Sequence, residues 1–167
     1  METALATTVM LVALMTASAA TLRMHGLRQQ NRERVVAQNA MRSIVEQVHA
    51  VSAAARNDAD ELNSWAEIMQ AAFAPGGDIG NTFLVPELTP RGPALPVGTL
   101  AVFTDETLTD AAIGFDLGMP RDLNGDNAAD DTDVTDDARI LPVLVTVQWR
   151  GVSGTNQMSH AFYVLGY

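Results

Sequence analysis

The sequence predicts an α+β protein in which a long N-terminal α-helix packs on a small antiparallel β-sheet. Three observations lead to this fold class. Residues 3–22 form an uncharged run of membrane length, residues 37–55 carry an apolar stripe at helical spacing, and residues 98–167 contain segments that alternate as strands do. A helix laid across an antiparallel sheet is the expected arrangement for this order of elements.

The uncharged run begins directly after Glu2, and three interpretations of it compete. Its 20 residues would rise about 30 Å as a helix, which is the thickness of a bilayer's hydrocarbon core. A cleaved secretion signal would need a basic segment ahead of the run, and only Met1 and Glu2 precede it. A simple anchor would place the rest of the chain in the cytoplasm, because Arg residues follow the run immediately. The third interpretation is a helix that leaves the membrane to form the core of a filament.

The start of the chain resembles that of type IV pilins and the related pseudopilins. The fragment Met1-Glu2-Thr3-Ala4-Leu5-Ala6, followed by the long apolar helix, carries the resemblance. The family usually has a longer apolar stub before this glutamate, so either the numbering starts inside the mature chain or this N-terminus is unusual. The resemblance implies a type IV pilin-like fold. It also implies a structural subunit of an extracellular pilus, held in the inner membrane before assembly and polymerised by the pilus assembly machinery.

Glu2 is the first candidate assembly residue. A carboxylate among aliphatic side chains is costly unless it is paired. In the family its partner is the N-terminal amine of a neighbouring subunit, so the resemblance implies that Glu2 guides docking. The alternative is that Glu2 lies among lipid headgroups and favours the helix N-terminus.

A charged cluster that follows the apolar run supplies the other candidate assembly residues. We expect its Arg side chains to pair with neighbouring helices and with Glu33 in the filament, and to contact headgroups before assembly. The cluster consists of Arg23, Arg28, Arg32, Glu33 and Arg34.

The helix is expected to continue beyond the apolar run, to a total of more than 50 residues, with an amphipathic second half. Thr16–Thr21 and Gly26 form a stretch of weaker helix propensity within it. A second helix is predicted to start with Asp58 as its N-cap and Glu61 three residues later. The apolar stripe consists of Ala37, Met41, Ile44, Val48, Val51 and Ala55.

The sequence thus divides into four regions. Residues 1–23 form the apolar transmembrane or filament-core helix, and residues 24–74 contain its amphipathic continuation and the second helix. Residues 75–97 hold five Pro and predict a loop with at most a short strand at Thr82–Val85. Residues 98–167 form the sheet region. Its predicted strands are Gly98–Thr104, residues 143–150 and Gln157–Leu165, with a turn over Gly151–Asn156.

The segment DLNGDNAADDTD, residues 122–133, matches the spacing of a calcium-binding loop. Asn127 occupies the sixth position, where the backbone must turn left-handed. An Asp at the last position resembles a dockerin loop over these twelve residues only, and some pseudopilins also carry a stabilising calcium loop. We expect a structural Ca²⁺; the alternative is a solvated acidic loop. The predicted ligands are Asp122, Asn124, Asp126, the carbonyl of Ala128, Asp130 and Asp133.

Charge and composition limit the remaining functions. Residues 1–57 carry six Arg and three Glu, a balance of +3, whereas residues 58–167 carry four Arg and seventeen Asp or Glu, a balance of −13. This acidic body repels phosphate backbones, so nucleic acid is not expected as a partner. The chain has no Cys, which excludes disulfides, thiolate metal sites and Cys nucleophiles.

The predicted function is therefore that of a non-enzymatic pilin that forms a homo-oligomeric filament on the cell surface. A type II secretion pseudopilin or a minor pilin is the nearest alternative. A membrane-anchored, monomeric calcium-binding module for adhesion belongs to another class. A secreted enzyme ranks last, since the sequence presents no catalytic constellation and His25, His49 and His160 share no metal-ligand spacing.

Overall fold

The structure, a computed structural model, describes residues 2–59 and 64–167, with side chains from Ala6 onward. A long helix packs on a four-stranded antiparallel sheet, which confirms the α+β class. The elements in chain order are α1 (Glu2–Asp58), α2 (Trp65–Phe73), β1 (Thr82–Phe83), β2 (Gly98–Val102), α3 (Asp110–Ile113), β3 (Ile140–Gly151) and β4 (Gly154–Leu165).

Helix α1 is continuous over 57 residues, a length of about 85 Å. It passes without a break through the stretch of weaker propensity that contains Gly26. The hydroxyls of Thr16, Ser18 and Thr21 donate to carbonyl oxygens three or four residues earlier, at 2.9, 2.8 and 2.9 Å. These polar groups therefore need no partner from outside the helix.

The second half of α1 forms one wall of the main core. The predicted stripe is confirmed: Ala37, Met41, Val48 and Ala55 are buried, and the other two positions are partly buried. They pack against side chains from α2 and from one face of the sheet. The strand residues in this core include Leu100, Leu141, Val143, Val145, Val147, Trp149 and Val164.

The sheet has the order β1-β2-β3-β4, with all neighbours antiparallel. Strands β3 and β4 pair from Ile140↔Leu165 to Gly151↔Gly154. The predicted turn over Gly151–Asn156 was too long, because only residues 152–153 separate the two strands. Gly154, with φ +110°, provides the backbone conformation that lets pairing begin directly after this tight turn.

The predicted start of the second helix was wrong. Asp58 is the last residue of α1, and the N-cap of α2 is Ser64. The Ser64 hydroxyl accepts a hydrogen bond from the Glu67 amide at 3.0 Å, and the Glu67 carboxylate accepts one from the Ser64 amide at 3.1 Å. This reciprocal capping box satisfies two amides at the helix start. Residues 60–63, with the predicted Glu61 contact, lie outside the described residues.

A second, smaller core lies on the other face of the sheet. The connection between β2 and β3, which includes the short helix α3, contributes Leu117, Met119, Leu123 and Val134 to it. Ile140, Ala161 and Tyr163 pack against this cluster from the sheet. The acidic segment predicted to bind calcium belongs to this connection, so the small core holds it on the sheet.

Candidate functional site

Residues 6–25 of α1, here called the stem, project from the folded body with every side chain exposed. Met10 is 65% exposed and Leu22 is 73% exposed, although both are large and apolar. By length and composition, α1 is long and apolar enough to cross a membrane. The stem therefore requires an apolar environment that the rest of the described chain does not supply. The side chain of Glu2 lies outside the described residues.

Two members of the charged cluster contact the body of the same chain. The Arg32 guanidinium forms an exposed ion pair with Glu87, with Nη2 and Oε2 2.9 Å apart. The Glu33 carboxylate accepts a hydrogen bond from the indole nitrogen of Trp149 at 3.1 Å. These contacts attach α1 to the body about two turns after the end of the stem.

The structure brings part of the cluster together in one groove. Arg28, Arg32 and Glu33 line it from α1, and Arg150 lines it from the end of β3. Arg23 and Arg34 are exposed and do not line this groove. The side chains of the cluster thus face more than one direction around the helix.

The acidic loop, residues 122–137, contains seven Asp and no Arg. Asp122 accepts hydrogen bonds from the amides of Gly125 and Asn127, the latter at 2.9 Å. The Asn124 side-chain oxygen accepts from the Asp126 amide at 3.1 Å. Asn127 has φ +72°, which confirms the left-handed backbone expected at the sixth position.

Hydrogen bonds to the charged form lower the pKa of two predicted ligands. The Gly125 amide is the main cause for Asp122, whose pKa lies below its ordinary value. The hydroxyl and then the amide of Thr135 lower the pKa of Asp133. One carboxylate oxygen of Asp133 is thereby directed to Thr135, at 2.6 Å from its hydroxyl.

The predicted ligands do not converge fully. Within the described ranges, no three acidic or His side chains are grouped closely enough to hold a metal ion. The Asn124 amide nitrogen instead donates to Asp131 and Asp137, each at 3.3 Å. Neither of these carboxylates belongs to the predicted set. Asn124 therefore connects the predicted ligands to two further carboxylates, those of Asp131 and Asp137.

Glu106 is a candidate ligand that the sequence did not reveal. It is 0% exposed, and its Oε1 accepts hydrogen bonds from the amides of Leu123 and Asn124. Its Oε2 is buried and has no hydrogen-bond partner among the described residues. No local signal identifies it, because Glu106 precedes the loop by sixteen residues and only folding places it there.

The acidic loop and Arg121, the residue directly before it, also form hydrogen bonds with the backbone of Glu106. Its amide donates to the Asp131 carbonyl at 3.0 Å, and its carbonyl accepts from the Arg121 amide at 3.4 Å. The acidic loop therefore forms hydrogen bonds with both the side chain and the backbone of Glu106. Glu106 thus places a fully buried carboxylate with one unpaired oxygen next to the acidic loop, and such an oxygen is costly to bury without a partner.

Comparisons with protein-family models, with curated proteins and with solved structures found no match to this chain.

Proposed function

We propose that this chain is a structural subunit of an extracellular type IV pilus-like filament, polymerised through its N-terminal helix. The exposed stem is the observation that supports this proposal. One helix has two unlike halves: the second half lies in the core of the body, whereas the stem exposes large aliphatic side chains to solvent. An isolated subunit in water would not leave these side chains uncovered.

The free energy available from covering the stem is large. Complete burial of one large aliphatic side chain is worth about 1.5–3 kcal/mol. Eight aliphatic or Met side chains of the stem are more than half exposed, namely Val9, Met10, Leu11, Val12, Leu14, Met15, Leu22 and Met24. Lipid can cover them before assembly, and the stems of neighbouring subunits can cover them afterwards.

The composition of the stem favours contact between helices. Small residues are frequent from Ala13 to Thr21, and they permit helices to approach closely. The hydroxyls of Thr16, Ser18 and Thr21 are satisfied inside their own helix. A neighbouring stem can therefore pack on this segment without having to provide hydrogen-bond partners.

In this proposal the stems bundle in the filament core and the acidic bodies coat its surface. Glu2 selects correctly docked subunits by pairing with a neighbour's N-terminal amine. Arg23, Arg28 and Arg34 contact adjacent helices, while Arg32 and Glu33 remain attached to their own body through Glu87 and Trp149. The subunit resides in the inner membrane before assembly, and its role is structural.

Electron microscopy of material sheared from cells that make this protein tests the proposal. We expect thin, uniform filaments that contain the chain. Glu2→Ala should abolish them while leaving the amount of chain in the membrane fraction unchanged. Glu46→Gln is the matched control, because it removes one exposed acidic charge from the body-bound half of the same helix and should leave filaments intact.

The absence of filaments, with the chain retained in the membrane, would contradict the pilin proposal. That outcome would instead support a monomeric, membrane-anchored calcium-binding module. Short or rare filaments that appear only together with another, more abundant subunit would indicate a pseudopilin or a minor pilin. The three outcomes are distinguished by the number of filaments and by the share of this chain in them.

A further inference from the structure

We propose that Glu106 and the acidic loop together bind a calcium ion, with Glu106 acting as a ligand from outside the loop. This proposal concerns the body alone and is independent of filament assembly. It depends on the buried, unpaired Oε2 of Glu106 and on the acidic loop that bonds the other oxygen of the same carboxylate. The carboxylates of the described residues are not yet grouped closely enough for an ion, so those of the loop would draw together on binding.

The free-energy cost of burying Glu106 indicates that its carboxylate lacks a partner. An ionised carboxylate removed from water is strongly destabilising unless charge or hydrogen bonds compensate it. The backbone amides of Leu123 and Asn124 donate hydrogen bonds to Oε1 and compensate the burial of that oxygen. Oε2 receives no such compensation from the described residues. A cation beside Oε2 would provide it.

No basic side chain takes that place in the described structure. Arg139 packs over Gly125, where an added Cβ would lie 3.2 Å from its Nη1. Arg121 lies over the ring of Tyr163, with the guanidinium carbon 4.7 Å from the ring centroid. The side chains of both basic residues that flank the loop thus have other contacts, and neither side chain is bonded to the Glu106 carboxylate.

The groups of the acidic loop that could bind a cation together with Glu106 favour a hard cation. The backbone amide of Asn124 donates a hydrogen bond to the Glu106 carboxylate. The side-chain amide of Asn124 donates to the carboxylates of Asp131 and Asp137. Asp122 and Asp126 lie on the same loop. These donors are all oxygens, and Ca²⁺ accepts six to eight of them in flexible geometry, whereas Mg²⁺ demands a near-ideal octahedron. Calcium is therefore the expected ion.

A cation at this position would connect two separate segments of the chain. Glu106 follows β2, whereas the acidic loop lies immediately before β3. Leu123 and Val134, both buried in the smaller core, belong to the same loop. Calcium would thus stabilise the contact between this core and the sheet, a role that disulfides often have in proteins that contain Cys.

The test uses the full chain in detergent micelles, titrated with CaCl₂ after removal of divalent ions by EGTA. We expect calcium to raise the melting temperature and millimolar magnesium to have a much smaller effect. Glu106→Gln preserves the shape of the side chain and removes its charge, and it should weaken calcium affinity about tenfold or more. Asp136→Asn is the control. It removes one charge from an exposed position of the same loop, outside the predicted ligands, and should change affinity less than about threefold.

Two results would overturn the proposal: a melting temperature that calcium does not change, or equal calcium affinity in Glu106→Gln and the wild-type chain. If Glu106→Gln does not fold, hydrogen–deuterium exchange of the wild-type chain decides the question. Calcium should then slow exchange in residues 104–108, which lie outside the loop. Unchanged exchange in these residues would exclude Glu106 as a ligand.

Discussion

The indole nitrogen of Trp149 donates a hydrogen bond to the Glu33 carboxylate at 3.1 Å, which joins the end of β3 to α1. Trp149 is only 2% exposed. Gly151 leaves space for the same carboxylate, because a Cβ at this position would lie 2.1 Å from Glu33 Oε2. This contact lies one turn before Ala37, the first buried residue of the helix stripe. It therefore marks where α1 joins the body, about two turns after the end of the stem.

Trp149→Phe should destabilise the body by about 1.5–3 kcal/mol, because it removes a hydrogen bond to a charged acceptor. Trp65→Phe is the matched control. The Trp65 indole donates to the neutral Ser52 hydroxyl at 3.2 Å, and the loss of that bond should cost about 0.5–1.5 kcal/mol. Urea denaturation in detergent measures both values. A loss for Trp149→Phe no larger than that for Trp65→Phe would contradict the importance of the Glu33 contact.

Ser64→Ala should destabilise the body by about 1 kcal/mol, since it removes the N-cap of α2. The Ser64 hydroxyl also donates to the Thr135 carbonyl, so the substitution should loosen the contact between α2 and the acidic loop. Ser43→Ala, at an exposed position inside α1, should be neutral or slightly stabilising because Ala has the higher helix propensity. Thermal melts of the two variants provide the comparison, and equal melting temperatures would argue against the capping box.

Met69→Ala should cost about 2–5 kcal/mol through the cavity it leaves, since Met69 is 0% exposed in the main core. Met10→Ala makes the same chemical change in the exposed stem. In detergent it should leave the unfolding free energy of the body unchanged within about 0.5 kcal/mol, but it should reduce filament yield. A stem substitution that destabilised the body by as much as Met69→Ala would show that the stem packs on it.

Asp110 should make the body sensitive to acid. The amides of Met119, Leu117 and Gly118 donate to its carboxylate and hold the pKa of this group below its ordinary value. A carboxyl whose folded pKa is depressed contributes stability above its unfolded pKa, about 3.9, and this contribution is lost as the pH falls through the folded value.

Asp110→Asn should therefore lower stability at pH 7 and weaken its dependence on pH below about 4. Asp136→Asn, at an exposed position of the same connection, is a suitable comparison. Urea midpoints measured between about pH 2.5 and about pH 7, a range that spans carboxyl titration, give the two profiles. Parallel profiles for wild type and Asp110→Asn would disprove the contribution of Asp110.

The main elements could be predicted because their signals are local and repeated. The stripe from Ala37 to Ala55 repeats at helical spacing, and the alternation over residues 143–150 predicts a strand that the structure contains. The start of α2 could not be predicted reliably. Asp58 with Glu61 and Ser64 with Glu67 present the same capping pattern, and the hydrogen bond from Ser64 to the distant Thr135 carbonyl distinguishes the second pair only after folding.

The acidic loop was predictable in part for the same reason. The spacing of a calcium-binding loop assigns Asp122, Asn124 and Asn127 to its first, third and sixth positions. The left-handed backbone expected at the sixth position is confirmed at Asn127. The burial of Glu106 depends on how the connection after β2 folds beneath the loop, and no periodic pattern encodes that contact. Local spacing therefore identified the loop, whereas the unpaired carboxylate beside it became visible only in three dimensions.

The unbroken path of α1 from the stem into the core has a consequence for insertions and deletions. Each residue of an α-helix advances the chain by about 1.5 Å and turns it by about 100°. One residue inserted between Leu22 and Arg32 would therefore rotate the whole body around the stem, and in the proposed filament it would turn a different side of the acidic surface toward the adjacent subunits. An insertion of seven residues, close to two full turns, would nearly restore the orientation. The length of the stem thus determines the direction in which the body faces.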